Sequence, residues 1–75
     1  MITGLAGLAV CIRNDGYSAS LERFKIYKAI EDTVAKQEGM LRIIDESGED
    51  YLYPESYFVF ANLPEAVEKA VLEAA

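Results

Sequence analysis

The chain contains no His, no Trp and a single Cys. Each absence removes a class of function. Without imidazole there is no His-based triad and no His-ligated zinc. One Cys cannot close a bridge within the chain, which excludes a disulfide scaffold. No apolar run approaches the roughly 18 to 20 residues that span a bilayer, so no membrane segment is expected. Basic residues are also few, 7 against 13 acidic ones, for a net charge of −6. An acidic surface repels phosphate, so nucleic acid is disfavoured as a partner. What remains is a 75-residue chain, 52% hydrophobic, that is too apolar for a disordered tail and long enough for one domain.

Charge is unevenly distributed. Residues 1–44 hold five acids and six bases and net +1, whereas residues 45–75 hold eight acids and only Lys69 and net −7. Arg13, Arg23, Lys25, Lys28 and Arg42 with Tyr27 form a candidate basic face, for which a solvated strand surface is the simpler reading. Ile2 to Ile12 is apolar but lacks a basic flank on its N-terminal side, and Arg13, Asn14 and Asp15 follow at once. A signal peptide is therefore not expected, despite the small residues Ser18-Ala19-Ser20, and a cytoplasmic protein with one free thiol is.

Leu8, Val10 and Ile12 alternate with Ala9, Cys11 and Arg13, which predicts a strand with one buried face. Asn14-Asp15-Gly16 ends it and opens a loop through Tyr17 to Ser20. Residues 21–30 fit two patterns. As a helix, Leu21, Phe24, Tyr27 and Ile30 share a face behind a Ser20 N-cap; as a strand, Phe24, Ile26 and Ile30 do, with Lys28 the exception. Asp32 or Thr33 caps a short helical turn that Gly39 ends. Met40–Ile44, the polar turn 45–50 and Tyr51–Tyr53 make a hairpin, which Pro54 terminates. Residues 55–57 suit a single tight helical turn and Tyr57–Phe60 a last strand. Pro64 opens a C-terminal helix with an apolar stripe of Val67, Ala70, Val71 and Ala74, and Leu72 at its margin.

The stretch Ser47-Gly48-Glu49-Asp50-Tyr51-Leu52-Tyr53-Pro54-Glu55-Ser56-Tyr57-Phe58 resembles the closing segment of Src-homology-3 (SH3) domains. There a Gly-bearing turn leads to a short strand, then Pro-x-x-Tyr on one helical turn, then a final strand. Gly48, Pro54 and Tyr57 fall in matching places. Leu8 to Pro64 as a whole resembles a group of short, uncharacterised bacterial proteins. Its pattern runs through Cys11-Ile12-x-Asn14-Asp15-Gly16-Tyr17, Tyr27-x-x-Ile30 and Arg42-x-Ile44-Asp45-Glu46-x-Gly48. The resemblance implies a mainly β chain: one small SH3-like barrel of about five strands over about 6–61, with a short helix over about 64–74. It also decides residues 21–30 in favour of a strand. The alternative fold is α+β, with residues 20–38 helical. The chain departs from peptide-binding SH3 domains in having no Trp and no aromatic segment near its start; Tyr17 is the stand-in for one aromatic ridge.

Clustered Tyr residues make rigid contact surfaces with a polar tip, and they also fill small barrels. Phe58 and Phe60 are expected inside by alternation, with Tyr53 and Tyr57 part-exposed. The expected partner-binding set is Tyr17, Glu49, Asp50, Tyr53, Pro54 and Tyr57, facing a basic or proline-containing protein. Asp45, Glu46, Glu49 and Asp50 read as a solvated turn, since their spacing is not that of a calcium loop. Cys11 has no base to activate it and reads as a small packing residue. No metal, cofactor or enzymatic activity is expected, because no catalytic motif is present. The chain reads as a protein-interaction or regulatory module, monomeric or weakly dimeric; an RNA-associated barrel is the alternative.

Overall fold

The computed structural model describes residues 4–74, with Ala74 defined by its backbone alone. The first residues of the Ile2–Ile12 run, Ile2 and Thr3, lie outside the described residues, as does the side chain of Ala74 in the predicted helical stripe. The strands are β1 (Leu5–Cys11), β2 (Ile26–Ile30), β3 (Met40–Ile44), β4 (Asp50–Pro54) and β5 (Phe58–Phe60). Helix α1 (Thr33–Gln37) lies between β2 and β3, a 3-10 turn (Glu55–Tyr57) joins β4 to β5, and α2 (Glu65–Ala74) closes the chain. Of residues 21–30 only Ile26–Ile30 form a strand, with 21–25 in the loop before it, and the α+β alternative with 20–38 helical does not hold.

All pairings are antiparallel and the sheet order is β4-β3-β2-β1-β5. This order forces curvature. β4 and β5 occupy opposite edges, yet only the three-residue 3-10 turn separates them in sequence. The sheet therefore rolls until its edges meet, and the rings of Tyr53 on β4 and Phe58 on β5 touch with centroids 6.4 Å apart. The result is a mainly β, small barrel-like sheet of five antiparallel strands with a short C-terminal helix.

Local chemistry explains the joints. Asp32 caps α1 by accepting from the Ala35 amide at 3.0 Å, and Gly39 ends the helix at φ +73°. Arg42 then clamps the same carboxylate from β3 at 2.8 Å and reaches Asp50 on β4 at 3.1 Å. α2 begins after Pro64, whose carbonyl accepts from the Glu68 amide at 2.9 Å. Glu65 and Glu68 in its first turn suit the positive end of the helix dipole. Val67 and Ala70 on its predicted stripe are exposed, and Val71 and Leu72 are half-buried.

The barrel decides which faces of the first two strands are buried. Ala9 and Cys11, not Val10 and Ile12, point into the central cluster, while Leu8 is buried apart from it. On β2, Tyr27 and Ala29 face inward, and Ile26 and Ile30 are half-buried on the other side. The cause is volume. Three rings, Tyr27, Tyr53 and Phe58, enter a barrel only five strands around, so the residues opposite them must be small. Two aromatics are also relocated. Tyr53, expected to be part-exposed, is buried, and Phe60, expected inside, is 50% exposed. Phe24 precedes β2 with φ +67° and is 70% exposed, rather than lying on a strand face.

Two backbone positions make opposite predictions. Gly7 sits at an irregularity in the β1–β2 register with φ +152°, and a Cβ there would lie 3.2 Å from the Phe60 ring. Gly7→Ala is expected to lower urea stability by about 1–3 kcal/mol, through clash and backbone strain together. Phe24 holds a left-handed conformation that costs an L-residue about 1–2 kcal/mol. Phe24→Gly is expected to be no less stable than the parent in the same urea titration.

Candidate functional site

The loop between β1 and β2, residues 12–25, is the longest irregular segment of the barrel. Long loops are mobile unless tied down, and this one is tied at several points. Leu21 is buried in the core. Asn14 donates its side-chain amide to the Leu21 carbonyl at 3.0 Å, and the Tyr17 carbonyl accepts from the Leu21 amide at 2.8 Å. Three tyrosine hydroxyls, two of them from the barrel interior, then hold the loop. Tyr57 donates to the Asp15 carbonyl at 3.1 Å. Tyr27 accepts from the Glu22 amide at 2.7 Å and donates to the Glu46 carboxylate. The Tyr53 hydroxyl lies 3.0 Å from Ser20 Oγ and donates to Asp45 Oδ2 at 2.6 Å.

Asp45 is the centre of this last contact. It is 6% exposed, and Oδ1 accepts from both the amide and the hydroxyl of Ser47 while Oδ2 accepts from Tyr53. Burial pushes its carboxyl pKa up, but the hydrogen bonds from Ser47 and Tyr53 outweigh this and hold it below the usual carboxylate range. The same cause acts in reverse on Tyr53, where burial and the adjacent carboxylate raise the hydroxyl pKa. Burial, followed by the bond to Glu46, raises Tyr27 well above the ordinary tyrosine range. The turn 45–50 is thus not simply solvated: Asp45 serves the loop, Glu46 pairs with Lys25 at 2.8 Å, and Asp50 pairs with Arg42.

On this base the structure assembles a tyrosine face. The Tyr17 ring meets the Tyr53 ring edge-on at 4.9 Å and the Tyr57 ring at 6.1 Å. Tyr17 is 38% exposed and Tyr57 and Pro54 are half-buried, so this face offers aromatic surface while Tyr53 supports it from beneath. The Arg13 guanidinium lies 5.1 Å over the Tyr57 ring and pairs with Asp15 at 2.6 Å. Of the six residues expected to bind a partner, Tyr17, Tyr53 and Tyr57 come together here through their rings, and Pro54 follows Tyr53 at the end of β4. Glu49 and Asp50 do not join them. Asp50 opens β4 opposite Ile44, with Glu49 in the turn before it, whereas Pro54 ends the strand opposite Met40. At about 3.3 Å per residue they stand about 13 Å or more from Pro54 along the strand. The acid beside the tyrosines is Asp15.

Three residues of this network escaped the sequence reading: Asp45 as a buried anchor, Ser20 as the loop contact of Tyr53, and Asp15 as the backbone acceptor for Tyr57. The signal for the first is present, since Asp-x-Ser-Gly favours a side-chain-to-backbone turn, and the Ser47 amide bonds Asp45 at 2.8 Å. The candidate basic face does not form as one surface. Arg13, Lys25 and Arg42 are ion-paired and Tyr27 is 5% exposed. Cys11 is buried and its thiol donates to the Arg13 carbonyl at 3.0 Å; burial pushes the thiol pKa up, away from nucleophilic use. Among the described residues no cluster of acids or thiols has the arrangement of a metal site, and no helix is long and apolar enough to cross a membrane. No protein-family model, no curated protein and no solved structure matches the chain.

The polar network sets a pH window. Asp32, Asp45 and Glu46 all have depressed carboxyl pKa values. Their contribution is present above the unfolded values near about 4 and is lost as pH falls through the folded ones. Tyr27 and Tyr53 have raised values, so their contribution is complete below about 10 and is lost as pH climbs past it. The melting temperature, followed by circular dichroism from acid to alkali, should plateau between these limits. Tyr53→Phe keeps the ring but leaves Asp45 without one donor. It is expected to cost about 1.5–3 kcal/mol and to speed amide exchange selectively at residues 17–21.

Proposed function

We propose that the chain is a protein-interaction or regulatory module whose tyrosine face, Tyr17 with Tyr57 and Pro54, takes a basic or proline-containing segment of a partner protein. The observation that supports this is the pairing of two part-exposed rings 6.1 Å apart on a buried third, with the Tyr57 hydroxyl fixed to the loop backbone. Rings held in this way lose little freedom when a partner docks. Their faces and edges suit the CH groups of proline and the stems of Arg and Lys, and their hydroxyls suit a polar rim. The net charge of −6 steers a cationic partner toward the chain.

The test is a titration of the 15N-labelled chain with a proline-rich peptide carrying one Arg at either end. Amide shifts are expected at residues 13–18 and 55–58. Tyr17→Ala, which removes an exposed ring that carries no hydroxyl bond in the network, is expected to weaken binding about tenfold, on the order of 1–2 kcal/mol. The absence of shifts in both segments at millimolar peptide would rule out the tyrosine face.

A further inference from the structure

The rolled sheet does not close along its whole length. β4 and β5 touch through Tyr53 and Phe58, but β5 continues to Phe60, which shares the face of Phe58 and has nothing over it. There the barrel opens into a cleft of about 410 Å³, bounded by Leu5 and Ala6 of β1, Phe60 of β5, Met40 and Leu41 of β3, and the segment around α1. The volume lies within the range of ligand clefts, about 300–1,000 Å³. Its apolar wall is preformed. The Phe60 ring is half-exposed and lies against Gly7, where any side chain would crowd it.

Five charged side chains line the cleft. Asp32 and Arg42 neutralise each other at 2.8 Å, and Asp32 is further occupied by capping α1. Glu31, Glu55 and Lys36 form no ion pair among the described residues. Glu31 enters from the strand end before α1 and Glu55 from the 3-10 turn, so two carboxylates stand on separate segments of one apolar cleft. Lys36 leaves an excess of one negative charge.

We propose that this cleft is a second docking site, for a peptide segment in which an apolar side chain is flanked by Lys or Arg. The apolar group packs on Leu5 and Phe60, and the flanking cation answers Glu31 and Glu55. The proposal rests on the interaction-module reading and extends it. The 3-10 turn carries Glu55 at the cleft and Tyr57 at the tyrosine face, so one extended partner segment can run from one to the other. A partner of this kind also fits the remaining surface, since its cations meet a net negative chain.

The probe is a nonapeptide with a central Leu flanked by Arg on both sides, titrated into the 15N-labelled chain at low salt. A matched peptide with Glu in place of Arg is the control. Shifts are expected at Leu5, Ala6, Glu31 and Phe60 with the basic peptide alone. Charge reversal of both acids, Glu31→Lys with Glu55→Lys, is expected to weaken binding by on the order of tenfold, whereas Lys36→Glu is expected to tighten it several-fold. A gain of affinity cannot come from misfolding, and the amide spectrum of each variant reports its fold directly. The proposal is overturned if those amides do not move, if the double reversal binds equally well, or if the acidic control binds as tightly. Shifts confined to Tyr17 and Tyr57 would leave the tyrosine face standing and remove the cleft. Shifts confined to the cleft would do the reverse.

Discussion

The buried carboxylate of Asp45 is the contact on which the loop, the hairpin and the tyrosine face all depend. An ionised side chain in a core is costly unless its oxygens are bonded. Here Ser47 satisfies one oxygen from within the turn and Tyr53 satisfies the other from β4. The Tyr53 hydroxyl also contacts Ser20, and the Glu46 amide donates to the Ser20 carbonyl at 3.0 Å. A turn that would otherwise only reverse the chain is thereby joined to the far end of the loop between β1 and β2. Removing the carboxylate would strand three donors and release that loop; removing the tyrosine would leave Oδ2 of the carboxylate without its donor. Among the described residues no buried side-chain polar atom lacks a partner, so the network is closed.

The second constraint is space. A chain this short buries only about 60% of the surface its unfolded form exposes, so each interior position carries weight. Large rings are an economical filling, because each removes much apolar area and its hydroxyl can still reach a partner. The consequence is an interior in which Ala9, Cys11 and Ala29 face Tyr27, Tyr53 and Phe58. It also explains why the aliphatic residues Val10, Ile12, Ile26 and Val59 are left on the outer surface, half-buried or exposed. The same economy leaves the barrel open at Phe60. Three residues of β5 reach the core once, at Phe58, and have no second ring to close the end.

These two constraints divide what the sequence makes legible from what it conceals. Punctuation reads directly. Asp32, Gly39, Gly48, Pro54 and Pro64 act through backbone rules that need no tertiary knowledge, and they mark the ends of α1, the hairpin, β4 and α2. Strand faces do not read in this way. Period two says that Leu8, Val10 and Ile12 share a side with one another but not which side is inside. That choice belongs to the rings on other strands. The tyrosine cluster was visible as composition, but its division into a buried Tyr53 and exposed neighbours turns on Asp45 and Ser20, which lie 8 and 33 residues away. Asp50 and Pro54 are near in sequence, whereas extended β4 sets them at its opposite ends.

Charge organisation links the fold to the kind of partner it suits. The two halves of the chain differ sharply in charge, and folding interleaves them only in part: Lys25 meets Glu46 and Arg42 meets Asp50 across the division. Glu49, Glu55, Glu65, Glu68 and Glu73 have no basic partner among the described residues. They lie in the hairpin turn, the 3-10 turn and α2, not on the central strands. The unbalanced negative charge is therefore carried at the periphery, where water and salt screen it. Such charge adds little to affinity but raises the rate at which cations arrive and repels phosphate. On the proposed reading, affinity would come from the fixed rings and selection of the partner's sign from the peripheral acids. Glu55 is the one peripheral acid that stands on the same three-residue turn as Tyr57, so on the proposed reading one partner segment can meet both.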